Sequence, residues 1–134
     1  MLIGTIAGIP MGNSQYTIEH RSTWPNTNGN TIHDVYLCIL NLDEDIADGL
    51  TVTFKINDGF DLEASSNNLN IWQAKTITQT GNVVTVELHS YASWLQVGSK
   101  LDLYFQLPYT SEDSKPEISD VTLNGLGVNL VSEF

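Results

Sequence analysis

Few side chains in this chain can make or break a covalent bond, and their spacing argues against their doing so. The histidines, His20, His33 and His89, stand far apart and fall into no metal-ligand or catalytic-triad spacing. Carboxylates are plentiful, but Asp43, Glu44, Asp45, Asp48, Asp58 and Asp61 cluster in turn-rich segments, where acidic side chains commonly stabilise the local backbone. A glycoside-cleaving pair needs two carboxyls facing each other across a cleft, and no such pair is legible. Asn57-Asp58-Gly59-Phe60-Asp61 looks superficially calcium-like but lacks the twelve-residue loop with its closing glutamate, so it reads as a turn. The expectation is a protein that is not an enzyme and carries no cofactor and no metal.

The aromatic residues are more informative. Trp24, Trp72, Tyr91 and Trp94 sit at or beside polar, turn-rich segments and not within long apolar alternations, a placement that predicts exposure. Any single tryptophan is more often a packing residue, but four such placements weaken that reading. The apolar C–H face of a pyranose stacks on an aromatic plane and releases water from both surfaces. Amides and hydroxyls nearby then fix orientation, and several weak contacts add through multivalency. Asn26, Asn28, Asn67, Asn70, Gln73 and Gln96 are the candidate polar neighbours. Among these, Asn70 and Gln73 flank Trp72 most closely and join the four aromatics as the candidate carbohydrate-binding set.

The elements that must position these residues are strands. Period-two alternation marks 50–56, 83–88 and 101–107, with further candidates at 15–20, 33–41, 71–79 and 118–130. Turn signals separate them: 26–30, 43–45, 48–49, 57–59 and 80–82. No stretch of adequate length shows helical period with caps. About eight strands at this spacing predict an all-β fold, a two-sheet antiparallel β-sandwich of immunoglobulin-like or jelly-roll type.

Composition narrows the partners. At 134 residues the chain predicts a single domain over 1–134. Sixteen acidic residues against five basic ones give a net charge of -11, which repels phosphate backbones and anionic lipid. Nucleic acid and membrane partners are disfavoured, whereas a neutral polymer is not. Cys38 is the only cysteine, so no internal disulfide can form; its strand context predicts a small buried hydrophobe. The apolar opening lacks a basic leading segment and is broken by glycines, which fits a strand or linker remnant better than a signal peptide.

A family resemblance agrees with this. Gly49-Leu50-Thr51-Val52-Thr53-Phe54, Ile71-Trp72-Gln73-Ala74, Thr78-Gln79-Thr80-Gly81, Val83-Val84-Thr85-Val86, Gly98 before Leu103-Tyr104-Phe105, and Pro116 followed by Val121-Thr122-Leu123-Asn124-Gly125 together resemble the family 2 carbohydrate-binding modules. The likeness spans nearly the whole chain. It implies a non-catalytic module of a larger secreted protein, monomeric when isolated, that holds an enzyme or scaffold on cellulose, a related β-glucan, chitin or xylan. Matched position by position, the family's surface aromatics fall on Trp24, Trp72 and a third place at Tyr91 or Trp94. The chain departs from the family in having Val128 near the second position of its usual disulfide and Leu50 in place of a common tryptophan. The competing expectation is a structural or protein-interaction sandwich, a spacer or cohesin-like module, with its aromatics in core or interface.

Overall fold

Alternation decides which face of each strand turns inward, because successive side chains on a strand point to opposite sides. The computed structural model describes residues 5–6, 9–25, 31–47, 49–60, 62, 74–89, 94–109 and 116–133. Among the described residues nine strands follow in chain order: β1 (Thr5–Ile6), β2 (Ile9–Pro25), β3 (Thr31–Leu40), β4 (Thr51–Ile56), β5 (Ala74–Thr80), β6 (Val83–Leu88), β7 (Lys100–Tyr109), β8 (Ile118–Leu123) and β9 (Leu126–Glu133). No helix occurs among the described residues. Val52, Phe54 and Ile56 of β4, Val84, Val86 and Leu88 of β6, Val35, Leu37 and Ile39 of β3, and Leu101, Leu103 and Phe105 of β7 all turn to one buried core.

The hydrogen-bonded order is β5-β6-β4-β8-β9-β2-β3-β7, with β1 on β2. This sheet curls on itself: Phe54 of β4 meets Phe105 of β7 edge-on, ring centres 5.5 Å apart, although four strands lie between them in the pairing order. The result is the all-β sandwich expected from the pattern, with β5-β6-β4-β8 facing β9-β2-β3-β7. Each described strand pairing is antiparallel except that of β9 with β2, which is parallel. The cause lies in the β8–β9 hairpin. Its central residues Asn124 and Gly125 have φ of 49° and 81°, the doubly positive signature of a type I′ turn that only Asn-Gly-like pairs adopt cheaply. The turn sends β9 across to the other sheet, where its direction matches β2.

No disulfide is needed to hold this last strand. Val128 is buried in the core, and Asn129 Nδ2 donates to the carbonyls of Gly12 and Ser14 on β2 at 2.9 and 3.2 Å. One expectation is corrected: Cys38 is not a core residue. It shares the outward face of β3 with Tyr36, because Leu37 and Ile39 take the inward face, and it is half-buried. Burial, then the neighbouring Asp102 carboxylate, pushes its thiol up to about 11, so it stays protonated and unreactive at neutral pH.

Candidate functional site

The segment that follows β3 and the segment that precedes β7 form a small ledge at one end of the sandwich. Ile46 and Leu95 make an isolated antiparallel bridge, each backbone N–H donating to the other's carbonyl at 2.9 and 2.7 Å. Leu95 turns into the core, and strand alternation therefore throws Trp94 and Gln96 outward. Trp94 is 57% exposed. Tryptophan is on average highly buried, so an indole this open is an informative departure. Leu42 and Val97 from the same two segments are also exposed; with Trp94 they are three of the six exposed large hydrophobic residues among the described residues.

The ledge beneath Trp94 is tied down by backbone and side-chain hydrogen bonds. Ser99 N–H donates to Gln96 C=O at 3.0 Å around a turn whose third residue, Gly98, has φ of 86°, the type II conformation that excludes other residues at low cost. Gly98 N–H donates to Asn41 C=O at 2.8 Å, and Asn41 N–H to Ser99 C=O at 3.0 Å. The Asn41 side chain, only 1% exposed as a residue, donates through Nδ2 to Leu95 C=O at 2.9 Å and Glu44 C=O at 2.7 Å. Its Oδ1 accepts from Asp43 N–H at 3.2 Å. Asp45 Oδ1 accepts from Val97 N–H at 2.8 Å. An aromatic plane on backbone fixed this way binds with little ordering entropy to lose.

Asp43 latches the ledge to β2. Its carboxylate accepts from Asn13 N–H at 2.7 Å, Ser14 N–H at 3.1 Å and Ser14 Oγ–H at 2.7 Å. Burial on its own would push Asp43 up, but these hydrogen bonds outweigh it and hold the carboxyl below its ordinary range. A carboxyl lowered on folding adds stability above its unfolded value of about 4 and loses it as pH falls through the lower folded value. Asp43→Asn is therefore expected to cost about 1–2 kcal/mol near pH 7. The deficit against wild type should shrink on acidification below about pH 4. Urea unfolding at a series of pH values measures both, and a deficit independent of pH would remove the charge from the account. Gly12 completes the latch, since a Cβ there would strike the Asp43 carboxylate and Leu126.

A pocket of about 90 Å³ lies between the ledge and the β8–β9 turn, lined by Asn41, Asp43, Glu44, Ile46 and Asn124 among others. At about 30 Å³ per water it holds a few waters and no sugar ring. No cluster of three or more metal-ligating side chains occurs among the described residues.

Of the four aromatics that the sequence grouped, Trp94 and the backbone of Trp24 fall among the described residues. Trp24 lies in β2, in the irregular step between Ser22 and Pro25, where β2 meets the Thr31 end of β3. The ledge is at the other end, beyond Leu40, which pairs with Gln15. Nine residue steps along β2 separate Gln15 from Trp24, roughly 30 Å at normal rise, so the backbone at Trp24 lies far from the ledge that carries Trp94. The Trp24 side chain, and Asn70, Trp72, Gln73 and Tyr91 entirely, lie outside the described residues, as do Asn26, Asn28 and Asn67.

Two aromatics that the sequence reading passed over stand together on the outer face of the β3–β7 pair. Tyr36 and Tyr104 are direct cross-strand partners with ring centres 4.6 Å apart and planes tilted by 38°. Tyr104 Oη donates to the buried Asp34 Oδ1 at 2.7 Å. The signal was available: with Val35, Leu37, Leu103 and Phe105 inward, period two puts Tyr36 and Tyr104 outward. Both are half-buried, which leaves Trp94 as the one described aromatic with an open face.

No protein-family model matches the chain, and no curated protein matches it in sequence. Solved structures do share its fold. The chitin-binding domain of Chi18aC from Streptomyces coelicolor superposes with a TM-score of 0.53 at 18% identity, over 84% of this chain and 91% of that one. Looser overlaps involve a GH20 exo-β-N-acetylglucosaminidase from Vibrio harveyi and a non-cellulosomal cohesin from the archaeon Archaeoglobus fulgidus. The first has a TM-score of 0.46 at 14% identity, over 91% of this chain and 18% of that one. The second has a TM-score of 0.45 at 10% identity, over 91% and 87%. The chain has the β-sandwich fold also used by a chitin-binding domain.

Proposed function

We propose that this chain is a non-catalytic polysaccharide-binding module, of the kind the family 2 carbohydrate-binding modules represent. In this reading it holds a larger secreted protein on an insoluble, uncharged β-linked polymer such as chitin or cellulose. The observation that carries the reading is the open indole of Trp94 on a hydrogen-bonded ledge. Trp94 stacks on a sugar ring, Gln96 beside it meets ring hydroxyls, and Trp72 with its neighbours Asn70 and Gln73, together with Tyr91, supply further contacts. Trp24, at the far end of β2, acts as a separate contact on the same extended polymer. A net charge of -11 keeps polyanions away and leaves neutral polymers unopposed. The sandwich fold, shared with a chitin-binding domain, is a scaffold compatible with this use.

Depletion of the chain from solution by suspended chitin, cellulose and insoluble xylan tests the reading. Retention on at least one of the three is the expected result, with salt having little effect because the contact is not ionic. Retention on none would overturn it and favour a protein-interaction sandwich.

A further inference from the structure

The turn that moves β9 from one sheet to the other opens a second place where a ligand fits. β8 and β9 pair only at Thr122 with Gly127 and Leu123 with Leu126. Beyond those two pairs β8 stays with β4 and β9 with β2, so the strands diverge and leave a cleft of about 510 Å³ along the open side of the sandwich. That volume falls within the range of small-ligand sites, roughly 300–1,000 Å³. We propose that this cleft is a second glycan site, one that takes a single soluble chain of a neutral oligosaccharide; it rests on the polysaccharide-binding reading and adds a ligand form that the Trp94 ledge does not serve.

The walls and rim fit that ligand chemically. Tyr16 and Leu130, partners across β2 and β9, form one wall and Ile118 of β8 the other. Leu130 is 51% exposed at the mouth, an apolar surface positioned to meet a sugar C–H face. Around the rim stand neutral and charged polar groups. Asn82 spends its Nδ2 on Ile56 C=O and Asp58 Oδ1, both at 2.8 Å, which fixes the amide at the rim with its Oδ1 to offer as an acceptor for a ligand hydroxyl. Glu117 adds an exposed carboxylate acceptor, and Lys55, held at 3.2 Å by Asp120, adds a donor whose charge is already balanced. Apolar walls with a few convergent polar groups are the usual make-up of a small-ligand site. With Lys55 paired and the chain at -11, no excess positive charge is left to attract an acidic glycan.

The cleft is separable from the ledge. Five residue steps along β8 separate Ile118 at the cleft from Leu123 beside the ledge pocket, roughly 17 Å at strand rise. Calorimetric titration of the full chain with chitohexaose and cellohexaose tests the proposal, alongside depletion by insoluble chitin and cellulose. Leu130→Arg blocks the mouth with a residue that its exposure tolerates, and Glu117→Gln removes one acceptor charge without touching the walls. Binding of one hexasaccharide is expected, weakened about tenfold by Leu130→Arg, a change of about 1.4 kcal/mol, and several-fold by Glu117→Gln. Trp94→Ala should leave that hexasaccharide affinity within about twofold, while Leu130→Arg leaves retention on insoluble polymer within about twofold. Hexasaccharide affinity unchanged in both cleft variants, or lost only in Trp94→Ala, overturns the cleft. Wild-type chain retained on insoluble polymer yet indifferent to both hexasaccharides also overturns the cleft and leaves the parent reading standing. Indifference to polymer and hexasaccharide alike overturns both.

Discussion

Phe105→Ala is expected to destabilise the domain by about 3–5 kcal/mol, a large part of the 5–15 kcal/mol that holds a typical domain folded. Phe105 is fully buried, and its ring meets that of Phe54, also fully buried, at 5.5 Å and 74°. The two rings come from opposite layers of the sandwich, so the truncation leaves a cavity where the layers meet; β4, hydrogen-bonded on both sides, and β7, paired along its length with β3, resist collapsing to fill it. The electrostatics of an edge-on pair add about 0.5–1.5 kcal/mol beyond buried area. Phe105→Leu should therefore recover most, not all, of the loss. Urea unfolding followed by intrinsic fluorescence gives the number; a loss under about 1 kcal/mol for Phe105→Ala would mean that the layers do not pack through this contact.

Asn41→Ala is the second large effect, expected at about 2–4 kcal/mol, because it strips partners from several groups at once. Glu44 C=O loses the Asn41 donor, Leu95 C=O loses one of its two donors and keeps Ile46 N–H, and Asp43 N–H loses its Asn41 acceptor. At a residue 1% exposed, water cannot easily replace those bonds. The chain should still fold, since Asn41 lies outside the main core, but the ledge should loosen. Hydrogen exchange should rise at the Leu95 and Ile46 amides, which form the bridge beneath Trp94. On the polysaccharide-binding reading proposed above, polymer affinity should fall with it, although Asn41 itself is buried. Protected amides at both positions in the variant would show that the ledge is held by something other than this side chain.

Much of the fold was written in the alternation of the sequence. The runs 50–56, 83–88 and 101–107 became β4, β6 and β7 nearly unchanged, because a two-residue period with one apolar face admits only a half-buried strand. The turns at Asn57-Asp58-Gly59 and Gly81-Asn82 were legible for the same local reason: Gly59 and Gly81 have φ of 98° and 60°, a region other residues avoid. The parallel pairing of β9 with β2 was not legible. It depends on where a hairpin deposits its second strand, a tertiary matter that neither strand's pattern encodes. Cys38 was misjudged because its neighbours are all apolar; only register places it opposite Thr17 and Asp102 on the outer face.

The exposure of Trp94 was legible, and the ledge that carries it was not. Turn-rich flanks marked Trp94 as a candidate for exposure, since a tryptophan outside an alternating run has no assured place in a sheet's inner face. The same logic grouped Trp24 with it, yet sequence contains no measure of how far a ten-residue strand carries the chain, and β3 puts the two at opposite ends of the sandwich. The buried amide of Asn41 gave no signal at all, because its partners are mostly backbone groups brought close by folding. Asp43 belonged to a cluster read as turn-stabilising; its actual work is to clamp a distant strand, thirty residues earlier at Asn13.

The most direct test is an adsorption isotherm of wild-type chain and Trp94→Ala on the insoluble polymer that retains the wild type best. An exposed side chain can be truncated within about 0.5 kcal/mol of wild-type stability, so a folding defect will not confuse the reading. The account predicts an affinity loss of roughly 2 kcal/mol, close to thirtyfold, with thermal unfolding unchanged and Trp94→Phe intermediate. Equal isotherms for wild type and Trp94→Ala would contradict it.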